Sequence, residues 1–313
     1  MTWHGHLALH YTRDGQRTVA HDRHEGPLRV LKALYPEGPG ICHHVLVHPP
    51  GRIVGGDVLE IEARLDAGSH ALITTPGATR FYRTAGAAAA QHATLCVADG
   101  ARLEWLPLET IAYRGCLAEN RVRIELAAAA EMIGWDVLAL GLPAAGEAFD
   151  AGVFTQHLEL PGRWLERGRI AASDARLLDS PLGLAGQRVL ATVWFASGSP
   201  LSDAQREALL EAARECAGAC PLTARCGVTG PHEGAIVLRA LAARVEPAMA
   251  LLQQVRAAWR SLGWGQRPCP PTPIPAFPQR GQEPIAAALV RGNASVRPYR
   301  RDGARRRATE ARS

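Results

Sequence analysis

Lysine is nearly absent: Lys32 is the only one in a chain of 313 residues that carries 35 basic side chains. A Walker A loop needs a phosphate-binding lysine behind a glycine-rich turn, so none can stand elsewhere in the chain, and any nucleotide hydrolysis has to come from a partner. No apolar run approaches the roughly 20 residues that span a bilayer. The opening MTWHGHLALHYTRDGQ lacks a basic leader followed by a hydrophobic stretch. The expected setting is therefore the cytoplasm, with no membrane partner. Seven cysteines, an odd number without CxxC spacing, argue against a disulfide framework and for reduced thiols. Missing too are a GxSxG elbow, an HExxH helix and a protease-like Cys-His context, so no active site is specified.

The net charge of +5 is misleading. Residues 265–313 hold ten arginines against Glu283, Asp302 and Glu310, which leaves residues 1–264 near −2. The positive charge belongs to a Pro/Arg-rich tail rather than to a patterned surface, so no nucleic-acid partner is expected. Segments such as RPCPPTPIPAFPQRG have too little periodic apolar content to offset their ordering entropy, and 265–313 is read as a disordered tail.

The densest information lies between His48 and Arg83. His48-Pro49-Pro50-Gly51 and Gly55-Gly56-Asp57 combine fixed and freed φ angles, which frames a sharp turn. From there Leu59, Ile61, Ala63 and Leu65 alternate with Glu60, Glu62 and Arg64, a half-buried strand. The unit repeats loosely as VLEIEARLDAGSHALITTP, HATLCVADGARLEWLPLET and VRIELAAAAEMIGWDVLAL, with a period of about 30 residues. Gly68, Gly100 and Ala129 share one turn position. Such units cannot bury an apolar face alone, so lateral stacking is the physical solution.

These patterns predict a mainly β fold. Stacked strand repeats form a β-helix-like, superhelical body over residues 1–200, and strand-like segments continue at 153–160, 163–172, 176–179 and 188–195. A smaller αββα segment, 201–264, packs on it. Its first helix opens with a capping box of Ser202 and Gln205, places Ala208, Leu209, Ala212, Ala213 and Cys216 on one face, and closes at Gly218. Its second helix carries Pro247 in the first turn and aligns Leu251, Leu252, Val255, Trp259 and Leu262, with Gly263 as its cap.

Several residues are candidates for chemistry. Cys42-His43-His44 and His48 offer nitrogen and sulfur donors of the kind nickel or zinc accepts. In an extended chain Cys42, His44 and His48 share a face and His43 opposes them. That gives either a partial, transient metal site or a histidine-rich strand edge, and no stable metal site is predicted. Asp57, Glu104, Glu109 and Asp136 could line a polar interior channel that passes a divalent cation by weak oxygen coordination, an idea made testable by the several kcal/mol that burying a carboxylate without a cation or hydrogen-bond partner costs. The alternative has Glu104 facing solvent by alternation and Glu109 capping a turn. Thr74, Thr75, Thr79 and Tyr82, around Pro76-Gly77, either solvate a passing ion or stabilise their turn, with the turn role favoured. Arg83, Glu166, Arg167 and Asp179 are read as buried ion pairs that hold sheet layers together. Cys216, Cys220 and Cys226 would need a fourth ligand such as His232 from across a loop to hold zinc.

HPPGRIVGGD and GSHALITTPGATRFYRT, with LEWLPLETI, IGWDVLALG and LLDSPLGLAG, resemble the urease accessory proteins of the UreD/UreH type, over roughly residues 3–262. The chain departs from that pattern at Arg52, where glycine is usual, and at Arg80, where lysine is usual; the first raises a question of backbone geometry. The resemblance implies a non-enzymatic scaffold that binds apo-urease and a helical partner, UreF, which recruits the nickel-carrying GTPase UreG. Nickel would be held only transiently, no cofactor stably, and the motif residues Gly55, Gly56, Thr75, Pro76, Gly77, Thr79, Tyr82 and Arg83 would shape the turns and the passage. Two other classes stay open from the residues alone: a metal-dependent hydrolase and a plain β-solenoid binding module.

Overall fold

A computed structural model describes residues 2–142 and 145–266; the tail expected to be disordered lies, beyond Gln266, outside the described residues. In chain order the strands are β1 (His4–Asp14), β2 (Arg17–Glu25), β3 (Arg29–Val30), β4 (Cys42–Val47), β5 (Val58–Leu65), β6 (His70–Thr74), β7 (Thr79–Phe81), β8 (Ala89–Val97) and β9 (Arg102–Leu106). They continue as β10 (Thr110–Ala112), β11 (Cys116–Leu126), β12 (Glu131–Leu140), β13 (Gly152–Leu160), β14 (Trp164–Ala171), β15 (Val189–Ser197), β16 (Cys226–His232) and β17 (Ala235–Ala242). The helices are α1 (Ala175–Asp179), α2 (Asp203–Ala219) and α3 (Val245–Trp264).

Successive strands wind between two sheets. The first has seven strands in the order β14-β13-β11-β8-β5-β1-β2, parallel from β1 through β13 with an antiparallel strand at each edge. The second has ten, ordered β16-β17-β15-β12-β9-β6-β4-β3 with β7 and β10 branching from β12. The repeat is visible in the register: Val58 lies opposite Ala90, a step of 32 residues, and Ala90 opposite Glu119, a step of 29. The second sheet keeps the same steps, from His70 to Arg102 to Glu131. At one end of each rung the same turn recurs, closed by N–H donation from Ser69 to Asp66, Ala101 to Ala98 and Ala130 to Ala127 at 3.0–3.1 Å. The turns stack through Gly68 N–H to the Asp99 carbonyl and Gly100 N–H to the Ala129 carbonyl. These are the stacked strand repeats that the sequence pattern predicts.

Alternation sorts the core into two layers. Along β12, Met132, Leu138 and Leu140 enter the layer between the sheets, while Ile133, Trp135, Val137 and Ala139 enter the layer under α2 and α3. Burial on both faces explains why EMIGWDVLAL reads as almost continuously apolar. The β16–β17 hairpin is hydrogen-bonded into the second sheet through β15, so the segment expected to pack on the body also extends its sheet.

The capping box at Ser202 and Gln205 is present, a feature worth ~1 kcal/mol. The buried face of α2 is Leu209, Leu210, Ala213 and Ala217, turned slightly from the expected stripe and leaving Ala208 exposed. Leu262 is 54% exposed, because the buried stripe of α3 ends on Trp259, Arg260 and Trp264. Gly263 is not the cap: a Cβ there would lie 2.9 Å from the Phe195 ring, so its role is close packing. Gly265, at φ +63°, supplies the left-handed cap. The strand expected at 176–179 is α1, nucleated by the Asp174 carboxylate, which accepts from Leu177 N–H at 3.0 Å.

Candidate functional site

Two polar clusters are buried on opposite faces of the second sheet. In β9, Leu103 and Trp105 take the positions between the sheets, which forces Glu104 toward the helices. It lies between Leu72 and Ile133 in register and is fully buried. Two arginines one helical turn apart on α3 meet it: Arg256 Nε donates at 2.6 Å, and Arg260 Nε lies 3.4 Å away. His70 Nε2 approaches at 3.5 Å. Arg260 also reaches Glu37 at 3.0 Å, and His43 reaches Glu37 at 2.9 Å. Burial would push the Glu104 carboxyl up, but His70, Arg256 and Arg260 overcome it and hold the pKa near 2. Glu104 therefore does not face solvent. It is the centre of an ionic clamp that fixes α3 to β4, β6 and β9.

Asp136 faces the other way, into the layer between the sheets. It accepts from Asn120 Nδ2 at 3.0 Å and Gln156 Nε2 at 2.5 Å. Asn120 and Gln156 occupy inward positions of β11 and β13, in line with Val122 and with Phe154 and Leu158. No basic side chain among the described residues bonds to this carboxyl. Burial pushes its pKa up to about 7; Glu166 adds to the rise, and the two amide hydrogen bonds oppose it. Thr192, the cross-strand neighbour of Asp136, donates to Glu166 at 3.1 Å, and Glu166 accepts from Arg239 at 2.6 Å. A polar seam thus runs from the buried Asp136 toward the Glu166–Arg239 pair, which ties the sheets together as expected of Glu166 but is half-exposed rather than buried.

The four carboxylates expected along one channel do not converge. Asp57 sits in its turn with both oxygens engaged, by Trp3 N–H at 2.8 Å and Val54 N–H at 3.0 Å. Glu109 is half-buried, and its main-chain carbonyl accepts from Thr79 N–H at 2.9 Å. Alternation on one sheet separates Glu104 from Asp136.

Cys42 and His44 share the inner face and His43 opposes them, as the extended pattern requires. His44 shares a 2.8 Å hydrogen bond with the Tyr11 hydroxyl. Burial lowers the His44 pKa to about 4 and raises that of the Cys42 thiol to about 11. His48 lies past the end of β4, half-buried in the proline turn. Among the described residues no group of three or more His, Cys, Asp or Glu could hold a metal ion. Cys220 and Cys226 both approach the Ala217 carbonyl, whereas the His232 ring accepts from Gly234 N–H at the hairpin tip, so these four do not form a zinc centre.

The motif residues mostly build turns. Thr75 Oγ1 donates to the Gly77 carbonyl at 3.0 Å and accepts from Leu108 N–H at 2.9 Å, and Thr74 donates to the Leu106 carbonyl at 2.7 Å. Pro76 and Gly77 form the half-buried tip. Gly55 and Gly56 pack so tightly on Thr84 and Thr2 that a Cβ would clash. The left-handed position after the prolines belongs to Gly51, at φ +65°, so Arg52 fits without strain. Asp179 pairs with Arg188 at 2.7 Å. Arg83 and Arg167 depart from the ion-pair expectation: both are exposed, and neither is paired among the described residues.

Sequence reasoning missed Asn120, Gln156, Glu37, His70, Arg256 and Arg260. A signal existed for most of them: amides at inward strand positions, and arginines four apart on the apolar stripe of a helix.

A family model described as UreD urease accessory protein matches residues 4–273. The chain is 63% identical over 273 residues to the urease accessory protein UreD of Leptothrix cholodnii, covering 87% of this chain and 98% of that protein. It is 58% identical to the UreD of Polaromonas naphthalenivorans over 266 residues, 85% of this chain and 96% of the other. With the UreD of Variovorax paradoxus it shares 57% over 264 residues, 84% and 96% of the two chains.

Proposed function

The chain belongs to the UreD family of urease accessory proteins, which gives it a role in urease maturation, and from that premise we propose that it is a non-enzymatic scaffold for nickel insertion. In this reading it binds apo-urease and a helical accessory protein of the UreF type, and receives nickel from a UreG-type GTPase through that partner. The scarcity of lysine supports the division of labour, since nucleotide hydrolysis belongs to the partner. Nickel is cargo, held transiently, and the setting is the cytoplasm.

One observation carries the conducting part of the reading: Asp136, a carboxyl in the layer between the sheets with only amide donors beside it. Such a group is costly as a bare anion. A passing divalent cation, or a proton, supplies the missing charge, and the seam toward Glu166 gives the cation a second carboxylate.

Co-expression with the urease cluster tests the reading. Deleting this chain is expected to abolish urease activity at unchanged urease polypeptide levels, and Asp136→Asn to lower nickel loading while the variant still copurifies with its partners. Normal nickel loading without the chain would refute the role, and turnover of a substrate by the isolated protein would favour a metal-dependent hydrolase.

A further inference from the structure

The most specific sequence motif, TTPGATRFYR, is only half explained by turn formation: Thr74 and Thr75 bond the backbone and Phe81 enters the core, yet Arg80 and Arg83 stand in solvent. The stacking of rungs brings further residues beside them. Ile53 bridges Phe81, and Phe81 pairs with Ala112. Arg52 is therefore the neighbour of Arg80, and Tyr82 that of Tyr113. Because Ile53, Phe81 and Ala112 point inward, Arg52, Val54, Arg80, Tyr82 and Tyr113 share the outer face.

The geometry there is specific. The Tyr82 and Tyr113 rings stack at 4.4 Å with planes 11° apart. The Arg52 guanidinium lies 6.0 Å from the centre of the Tyr82 ring, and Val54 is 36% exposed. Among the described residues, Arg114 has a carboxylate partner, Asp150, while Arg52, Arg80 and Arg83 have none. Neighbouring strands run about 4.8 Å apart, so Arg52 beside Arg80 is a like-charge cross-strand pair, which destabilises an isolated sheet. An anion seated across the rungs removes that cost. Tyrosine and arginine around a small apolar centre are also the residue types that carry protein interfaces.

We propose that Arg52 and Arg80, beside the Tyr82–Tyr113 stack, form a docking surface for an acidic segment of a partner protein, with the exposed Arg83, whose stem lies against Gly115 past the end of β7, at its rim. Carboxylates pair with the guanidiniums, and an apolar side chain of the segment covers Val54 and the tyrosine faces. The assembly reading above supplies the source of the segment, not its chemistry. Nucleic acid is the less favoured occupant: residues 1–264 carry a net charge near −2, and the exposed Glu147 flanks Tyr113, whereas a phosphate backbone requires a continuous basic track.

The test uses the full chain and three probes. A fluorescent twelve-residue glutamate peptide carrying one central leucine is titrated at low salt. The triple variant Arg52→Gln/Arg80→Gln/Arg83→Gln is expected to weaken binding at least tenfold, as is 0.5 M NaCl, while melting no lower than the wild type because the like-charge pair is gone; Tyr82→Ala is expected to weaken binding severalfold, with a small drop in melting temperature from the lost ring stack. Peptide binding equal in wild type and triple variant, or a single-stranded oligonucleotide that binds more tightly than the peptide, would overturn the proposal. Capture of co-expressed urease and accessory subunits is the third probe. Loss of one subunit in the triple variant supports the surface, whereas full retention overturns it. Should the wild type capture none of them, the assembly reading falls and the peptide titration still decides the surface.

Discussion

Glu104 and Asp136 are carboxyls buried in the same sheet, and what differs is the face each takes. Glu104 turns to the helix layer, where α3 brings two guanidiniums, and its pKa falls to about 2. Asp136 turns to the layer between the sheets, where strands of apolar alternation offer only two amides, and its pKa rises to about 7. Burial alone does not decide the charge of a group; its neighbours do. The matched cluster is a clamp that locks a helix, while the unmatched one leaves an electrostatic deficit that a mobile cation can fill.

The comparison breaks most visibly at Glu104. Glu104→Ala leaves Arg256 and Arg260 buried without a counter-charge and is expected to cost about 3–5 kcal/mol, read as a drop in the urea midpoint. Its pH signature follows from the depressed pKa: the contribution is complete above the ordinary value of 4.5 and is lost as pH falls toward 2, so the variant should show a flatter acid limb than the wild type. Asp136→Asn should act with the opposite sign. Its folded pKa lies above the ordinary 3.8, so the native state keeps a proton that the unfolded chain releases, and stability falls as pH rises from about 4 to 7. Removing the charge is then expected to stabilise the fold by roughly 4 kcal/mol at pH 8 and hardly at all at pH 4; a gain uniform in pH would contradict the assignment. A smaller effect belongs to Gln156→Leu, which takes one of the two donors away and should raise the Asp136 pKa by about one further unit, followed by carboxyl carbon NMR. Smallest is salt: at 0.5 M NaCl the cost of Glu104→Ala should change by less than about 0.5 kcal/mol, because buried pairs are poorly screened.

Much of this fold was legible in local pattern. Strand alternation in VLEIEARL, the recurrence near 30 residues and the Ser202–Gln205 box are short-range signals, and the register steps of 29 and 32 reproduce the period. The ARLLD segment was misread because a single capping carboxylate, Asp174, outweighs a strand-like composition over five residues. Glu104 and Asp136 both stand among the candidate carboxylates read from the sequence. Their partners do not: Arg256 stands 152 residues from Glu104 and Gln156 20 from Asp136, and no local pattern encodes which chain-distant side chain arrives opposite a given strand position. The four carboxylates do not share one face, because the face of each strand residue follows from its parity with core neighbours, and Glu104 and Asp136 differ in that parity.

The clamp also sets an order of events during synthesis. Glu104 leaves the ribosome 152 residues ahead of Arg256, a delay of about 8–30 s at ordinary elongation rates. Throughout that interval the rungs can stack, yet the sheet carries an uncompensated anion and an uncovered apolar face. The nascent body is therefore unfinished until the last described helix emerges, and a chain cut short of α3 leaves both the Glu104 carboxylate and the helix-facing apolar layer of the second sheet uncovered.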